Sequence, residues 1–251
     1  MRTIVLTGVT GLIGRVLLKH FVASGDVVVG IGRSSDSLHK LQSELNDRSR
    51  QFRGISVDLS LENACDQIKE ALLSADLWPN CLINNARDVS YLRLGTSGTV
   101  ARQDFLGELL MDVVVPYELT MALAQKPNSR LESVVNIGSQ YGVVAPNLNL
   151  YSDPAKESPL HYGVAKAGLG HLTKELAVRL ADQDIRVNCV AFGGVEGRVG
   201  DDFKNRYSLL CPMGRMLNDS DLAGPVDLLL SSASSAITGH TLIVDGGWSL
   251  W

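Results

Sequence analysis

Most of the features that would assign this chain to a special class are missing from its sequence. No apolar run approaches the roughly 20 residues that a membrane-crossing helix needs. Only four residues are cysteine (Cys65, Cys81, Cys189 and Cys211), and they are scattered without a C-x-x-C pair. That spacing argues against a disulfide framework or a zinc site, leaves no metal expected, and fits reduced thiols in a cytoplasm. Cationic excess is absent too. The formal net charge is −4, so the composition gives no reason to expect nucleic acid as partner. At the N-terminus the apolar stretch Ile4-Val5-Leu6 is too short for a signal peptide and runs directly into a glycine loop. No repeat, low-complexity tract or linker divides the chain, which predicts one domain over residues 1–251. What remains is ordinary: 45% hydrophobic and 20% charged residues, enough for a sizeable core.

That core is built by alternation. Short β-rich runs occupy Thr3–Leu6, Val27–Ile31, Gly54–Val57, Cys81–Asn84, Ser133–Ile137, Arg186–Ala191 and Thr241–Val244. Most are continuously apolar, as strands covered by helices on both faces should be, and Cys81 and Cys189 read as small core residues within them. Helical periodicity covers Ile13–Ser24, Asp36–Asp47, Glu62–Ser74, Ala101–Ala124, Tyr162–Ala181 and Ser220–Ser231. The alternation predicts an α/β Rossmann fold, a doubly wound parallel sheet of about seven strands with helices on both faces. Two stretches, 141–160 and 193–218, lack clear periodicity and each follow a strand. They are expected to be substrate loops at the carboxyl edge of the sheet, where open α/β folds bind ligands.

Thr7-Gly8-Val9-Thr10-Gly11-Leu12-Ile13-Gly14 follows the first strand and opens the first helix. Glycines there let the backbone turn tightly and approach a pyrophosphate, whose charge the helix N-terminus favours. The residues expected to hold a dinucleotide are therefore Thr7, Gly8, Thr10, Gly11, Leu12, Ile13 and Gly14. The second strand ends Gly30-Ile31-Gly32-Arg33-Ser34-Ser35, with no acid before Asp36 to hold a ribose 2′-hydroxyl. Arg33 can grip a 2′-phosphate through its planar fork and Ser34 can add a donor, so NADP is preferred, with NAD as the alternative. The plainer reading makes Arg33 a solvated loop residue and Ser35 or Asp36 the cap of the next helix.

Tyr162 and Lys166 stand four residues apart at a predicted helix start, so both project from one face. A phenol ordinarily ionises near pH 10, and a neighbouring cation favours the phenolate, which makes such a pair usable as a general acid/base. Ser139, directly after the fifth strand, offers a hydroxyl to a substrate oxygen. Taken singly, each reads more readily as a surface lysine, an aromatic or a loop serine.

Taken together, these residues resemble the short-chain dehydrogenase/reductase family over essentially the whole chain. Asn84-Asn85-Ala86 is similar to the family element that walls the adenosine side, which implies cofactor contacts from Asn85 and Ala86. Asp58 matches the acid that meets the adenine amino group, with Leu59 beside it. Val187–Ala191 resembles the strand before the nicotinamide-binding turn, which brings in Gly194 and Val195. Pro212-Met213-Gly214-Arg215 and Val244-Asp245-Gly246-Gly247 resemble closing signatures of the compact branch. The resemblance implies hydride transfer between a nicotinamide and a carbonyl/alcohol pair. It gives Ser139 the task of orienting substrate and Tyr162 that of acid/base. Lys166 would lower the tyrosine pKa and bind the nicotinamide ribose. Asp112 occupies the place where many members carry an asparagine in a proton relay. It also implies a homodimer or homotetramer.

Several departures stand out. The glycine spacing is G-x-x-G-x-x-G, as in the longer branch of the family that modifies nucleotide-sugars, and the gap of 23 positions from Ser139 to Tyr162 is wide for the compact branch. Arg87 replaces the glycine usual after N-N-A, and Phe192 replaces a proline before Gly193. Arg87, Arg93, Lys156, His161, Arg198, Lys204 and Arg206 could together receive an anionic group. The substrate is accordingly expected to be a small carbonyl/alcohol, specifically a sugar derivative, nucleotide-linked or phosphorylated. A 3-oxoacyl or small-ketone reductase is the runner-up. A regulator that senses the dinucleotide without catalysis is the rival from another class, and retention of both Tyr162 and Lys166 weighs against it.

Overall fold

Side-chain alternation along each strand decides the architecture. In β1 (Thr3–Thr7), Ile4 and Leu6 join one core cluster and Val5 the other, and all three are fully buried. The same division repeats in β2 (Val27–Gly32), β4 (Cys81–Asn84) and β5 (Ser133–Ser139). A helix layer must therefore cover each face. The computed structural model describes residues 1–125, 129–197 and 199–251. It completes the sheet with β3 (Phe52–Ser56), β6 (Arg186–Phe192) and β7 (Thr241–Val244), all parallel, in the order β3-β2-β1-β4-β5-β6-β7. On one face lie α1 (Leu12–Ala23), α2 (Ser35–Glu44) and, further along the chain, the helix Ala223–Leu230, through Leu17, Phe21, Leu38, Leu41, Val226 and Leu229. On the other lie α3 (Ala64–Ser74), the helix Val115–Leu123 and the helix Leu160–Leu180, through Ile68, Leu72, Leu119, Leu176 and Leu180. Each such fully buried side chain is worth roughly 1.5–3 kcal/mol.

The chain winds outward from β1 to β3, then crosses to β4 and winds the other way. The loops after β1 and β4 diverge at that reversal and leave a crevice at the carboxyl edge. Observed strand ends shift slightly from expectation. β1, β5 and β6 run on to Thr7, Ser139 and Phe192, while β3 starts at Phe52 and ends at Ser56 rather than spanning 54–57.

The expected single helix over 101–124 is three windings: α4 (Arg102–Leu109), a five-residue π-helical segment Leu110–Val114, and α5 (Val115–Leu123). Pro116 has no N–H to give the carbonyl of Asp112 four residues earlier, so the ordinary ladder cannot continue through this point. The two stretches expected to be irregular also contain helix. Residues 141–160 hold α6 (Pro154–Glu157), after which α7 (Leu160–Leu180) begins, and residues 193–218 hold α8 (Asp201–Leu210). Only Tyr207 of α8 is fully buried, so its periodic signal is faint; it stacks on Trp248 with ring centroids 4.3 Å apart. Trp248 thus tucks onto the core, whereas Trp251 is exposed. The last helix, α9 (Ala223–Leu230), follows a capping box at Asn218 and Asp221. Among the described residues, no helix is long and apolar enough to cross a membrane.

Candidate active site

The glycine loop takes its shape from steric necessity. Gly8 has φ +64, and a Cβ there would stand 2.7 Å from the Ala86 Cα. A Cβ on Gly14 would stand 2.3 Å from the Gly8 carbonyl oxygen. The loop is then tied to the segment after β4. The Thr7 hydroxyl accepts from the backbone N–H groups of Asn85 (2.9 Å) and Ala86 (3.0 Å), and the Asn85 amide donates to the Thr7 and Gly8 carbonyls at 3.0 and 3.1 Å. The N-cap of α1 is Gly11, which offers no side-chain cap, and no acid stands in the first turn, whereas α2 has both a Ser34 cap and Asp36. An uncapped, uncompensated N-terminus favours an anion.

A cleft of ≈ 690 Å³ opens at this point. Gly8, Thr10, Gly11, Leu12 and Ile13 line it, as do Arg33, Asp58, Leu59, Asn85, Ala86, Gly194 and Val195. Thr7 and Gly14 stand behind the wall, where they shape the loop. Ser34 is the N-cap of α2, one residue earlier than expected, with its oxygen accepting from the Ser37 N–H at 3.2 Å. Arg33 is ion-paired to Asp88 at 2.5 Å. These residues and the bare helix end fit a dinucleotide.

At the other end of the cleft, Ser139 and Tyr162 line the wall together. The Ser139 oxygen accepts from the Tyr141 N–H at 3.2 Å, which leaves its O–H free to donate. Lys166 is buried behind the wall and does not line the cleft. Its ammonium donates to Asp112 Oδ1 at 3.0 Å and to the Ile137 carbonyl at 2.9 Å. Burial acts most strongly and lowers its pKa, but the charge and hydrogen bond of Asp112 together with Tyr162 outweigh that and hold it above the usual lysine value. The Arg87 guanidinium lies 4.5 Å from the centroid of the Tyr162 ring, and the Lys166 ammonium 5.9 Å from it. Two cations thus face the Tyr162 ring.

Buried polar side chains, most of them outside the motifs, support the site. Asn84 donates to Asn136 at 2.8 Å, Asn136 donates to Thr173 at 2.9 Å, and Thr173 donates to the Leu169 carbonyl at 2.9 Å, all buried. This ladder locks α7, and Tyr162 with it, to β4 and β5. Tyr207 accepts from the Gly194 N–H at 2.9 Å and donates to Gln140 at 3.0 Å, pinning α8 to the two loops that meet over the cleft. Tyr151 donates to Tyr141 at 3.1 Å on the same wall. Glu108 is buried four residues before Asp112 and 3.8 Å from Arg87. The acid pair at helical spacing within an apolar run was the available signal, since like charges at i and i+4 are unfavourable without a reason.

The cations expected to gather for an anionic substrate do not gather. Arg93 is paired with Asp104, Lys156 with Asp153, and Arg206 bonds the Leu150 carbonyl and Ser152. Lys204 approaches Asp201 at 3.9 Å, and His161 is fully buried with Nε2 2.7 Å from the Tyr91 carbonyl oxygen. Each finds a nearby carboxylate, hydroxyl or carbonyl, and of the set only Arg87 lines the cleft. Arg198 lies outside the described residues.

A family model described as enoyl-(acyl carrier protein) reductase matches residues 8–249. The chain belongs to the short-chain dehydrogenase/reductase family. It is an NAD(P)-dependent oxidoreductase with a Rossmann fold. The chain is 32% identical to a short-chain type dehydrogenase/reductase, y4vI, of Sinorhizobium fredii, over 98% of this chain but only 43% of that relative's length. It is 28% identical to post-translational flagellin modification protein A of Campylobacter coli, over 99% of this chain and 98% of the relative. A short-chain dehydrogenase of Leptospira borgpetersenii with bound NAD+ is 28% identical and superposes with a TM-score of 0.85, over 99% of this chain and 92% of the other.

Proposed function

We propose that the protein transfers hydride between NADP(H) and a carbonyl/alcohol pair on an uncharged, hydroxyl-bearing substrate of the sugar class, with Tyr162 as the proton-exchanging group. The observation that carries this reading is the placement of Tyr162. Its phenol lies on the cleft wall beside Ser139, flanked by Arg87 and by the Asp112-anchored Lys166. A nicotinamide, when bound, supplies or accepts the hydride. Ser139 donates its free O–H to the substrate oxygen and so holds it for Tyr162. In reduction, Tyr162 gives its proton to the developing alkoxide; in oxidation, the phenolate takes the proton from the alcohol. Lys166 stands behind the wall, where Asp112 fixes the ammonium in place; two of its N–H donors are engaged, and the third is the one that would reach a nicotinamide ribose if the wall beside Tyr162 opens to it.

The substrate class follows from what surrounds that end of the cleft. Tyr141, Tyr151, Gln140 and Phe203 present hydroxyls, an amide and ring faces, while most of the loop cations are engaged elsewhere. Stretches 141–160 and 193–218 serve as the substrate loops, held over the cleft by Tyr207. For the cofactor, Arg33 and the free O–H of Ser34 support NADP over NAD. The exposed apolar side chains Leu106, Val114, Tyr117 and Val164 on α4, the π segment, α5 and α7 support a homodimer or homotetramer. Four unpaired cysteines support a cytoplasmic location.

The test is an absorbance assay of NADPH and NADH against neutral sugars, phosphorylated and nucleotide-linked sugars, ketones and acyl thioesters. Neutral sugars or polyols are expected to turn over, and Tyr162→Phe should lower kcat by roughly 10²–10⁴ with cofactor binding intact. Turnover of acyl thioesters alone would replace the sugar reading with the acyl-reductase one, to which the description of the matching family model lends some support. Cofactor binding without turnover anywhere in the panel would favour the regulator.

A further inference from the structure

Four charged side chains meet in the protein interior beside Tyr162: Arg87, Glu108, Asp112 and Lys166. Asp112 uses Oδ1 for Lys166, while its Oδ2 is buried with no hydrogen-bond partner among the described residues. Both carboxyl oxygens of Glu108 are buried in the same condition, and so are Nε and Nη2 of Arg87. Glu108 itself is 1% exposed. Ionised carboxylates only accept, so two of them facing each other satisfy neither. Glu108 and Asp112 stand four residues apart where α4 runs into the π segment, both buried, and each carboxyl bears on the other. One proton between them supplies the missing donor, and burying it costs far less than burying two anions side by side.

We propose that Glu108 is a positioning residue for the Tyr162–Lys166 pair: it shares one proton with Asp112 Oδ2, and by holding or releasing that proton it sets the charge that surrounds the Tyr162 phenol. This rests on the reading of Tyr162 as the proton-exchanging group. With the proton held, Arg87 and Lys166 face the single charge of Asp112, and the cluster carries one net positive charge. With the proton released to solvent, Glu108 completes an ion pair with Arg87 across the 3.8 Å gap, and the cluster is neutral. No other bond forms or breaks. Further groups on the elements packed around Glu108 include Asp104 and the exposed Arg102 on its own helix, Tyr91 in the turn against Gly107, and His161 at the start of α7. Asp104 is occupied by Arg93, and His161 by the Tyr91 carbonyl. Burial, then the Asp112 charge, pushes the Glu108 carboxyl up to about 7, inside the working range of an enzyme. Around neutrality, then, rising pH removes positive charge from the surroundings of Tyr162 and lets the phenol keep its proton to higher pH.

Glu108→Gln fixes the neutral state. Its pH profile should lose the ionisation near 7. The alkaline limb of carbonyl reduction and the acid limb of alcohol oxidation should both move to lower pH by about one unit, a tenfold change in rate on either limb. A purely structural residue would lower both activities without moving both limbs in the same direction. Unmoved limbs would overturn the proposal. A second readout needs no turnover. The infrared difference spectrum of wild type minus E108Q should contain the carbonyl band of a protonated carboxyl group that titrates away as pH rises through neutrality. In Asp112→Asn, which removes the neighbouring anion, that band should titrate at lower pH; if E108Q does not fold, the wild-type minus D112N difference carries the same test. Absence of the band would also overturn the proposal. Undiminished turnover by Tyr162→Phe would instead overturn the function on which it rests, leaving the infrared result to decide Glu108 by itself.

Discussion

The two ends of the cleft are built by different means. At the β1–β3 end, the wall takes its shape from backbone: a glycine loop, a bare helix N-terminus and the segment after β4, cross-tied through Thr7 and Asn85. At the β5–β6 end, the wall is mostly side chain: Tyr141, Tyr151, Tyr162 and Phe203, on elements held by the Tyr207 and Asn136 networks. Backbone offers the same donors whatever the surrounding sequence, so it suits a ligand that does not vary. Side chains and loops change freely and suit the ligand that does. One end should therefore fail through small changes in shape, and the other through changes in chemistry.

The strongest contrast is expected at Gly14. Gly14→Ala drives a methyl group against the backbone at Gly8 and Val9 rather than against a side chain that could turn away. The loop must shift, costing about 1–3 kcal/mol of stability and at least about tenfold in cofactor affinity. Thermal unfolding and fluorescence titration with NADPH read both. Gly224→Ala, in α9 with open space around it, is the control and should do neither. A harmless Gly14→Ala would mean that backbone shape does not decide the nucleotide end. Tyr151→Phe is the counterpart at the substrate end. It removes one hydroxyl and the bond to Tyr141 while leaving the ring. KM for a hydroxyl-bearing substrate should rise about fivefold to tenfold with cofactor affinity unchanged, whereas an apolar ketone should lose nothing. Equal losses in substrate and cofactor binding would erase the distinction between the two ends.

That distinction also explains what could be read from the sequence. Gly8 and Gly14 are legible because a backbone requirement leaves glycine as the answer, and the apolar strands are legible because burial on both faces leaves little choice. Tyr162 and Lys166 are legible through fixed helical spacing and position. The α8 helix is not, because it shows the core little more than Tyr207 and depends on Trp248, far along the chain. Nor is the π segment, whose cause, the missing N–H of Pro116, alters the winding without altering the apolar pattern. The loop cations misled for a similar reason. Arg93 and Asp104, or Lys156 and Asp153, neutralise one another only once folding sets their distances.

The smallest effect tests where the two regimes meet, because Arg33 is a side chain at the backbone-built end. Its guanidinium is held by Asp88, whose carboxylate also accepts from the Ser90 N–H at 2.9 Å. Burial works against the charge of Asp88, but the Ser90 and Arg33 bonds outweigh it and hold the carboxyl below the usual range. A carboxyl with a depressed pKa contributes its stabilisation above the ordinary value of about 4 and loses it only as pH falls through the lower, folded value. Asp88 is therefore charged throughout the assay range and competes with a 2′-phosphate for Arg33 at every working pH. Asp88→Asn removes that competition. NADPH should bind about threefold more tightly, NADH should be unaffected, and the ratio should stay flat from about pH 6 to pH 8. Arg33→Ala should abolish the NADPH gain. If Asp88→Asn weakens NADPH, or improves NADH equally, Arg33 does not face the 2′-phosphate, and the nucleotide end relies on backbone alone.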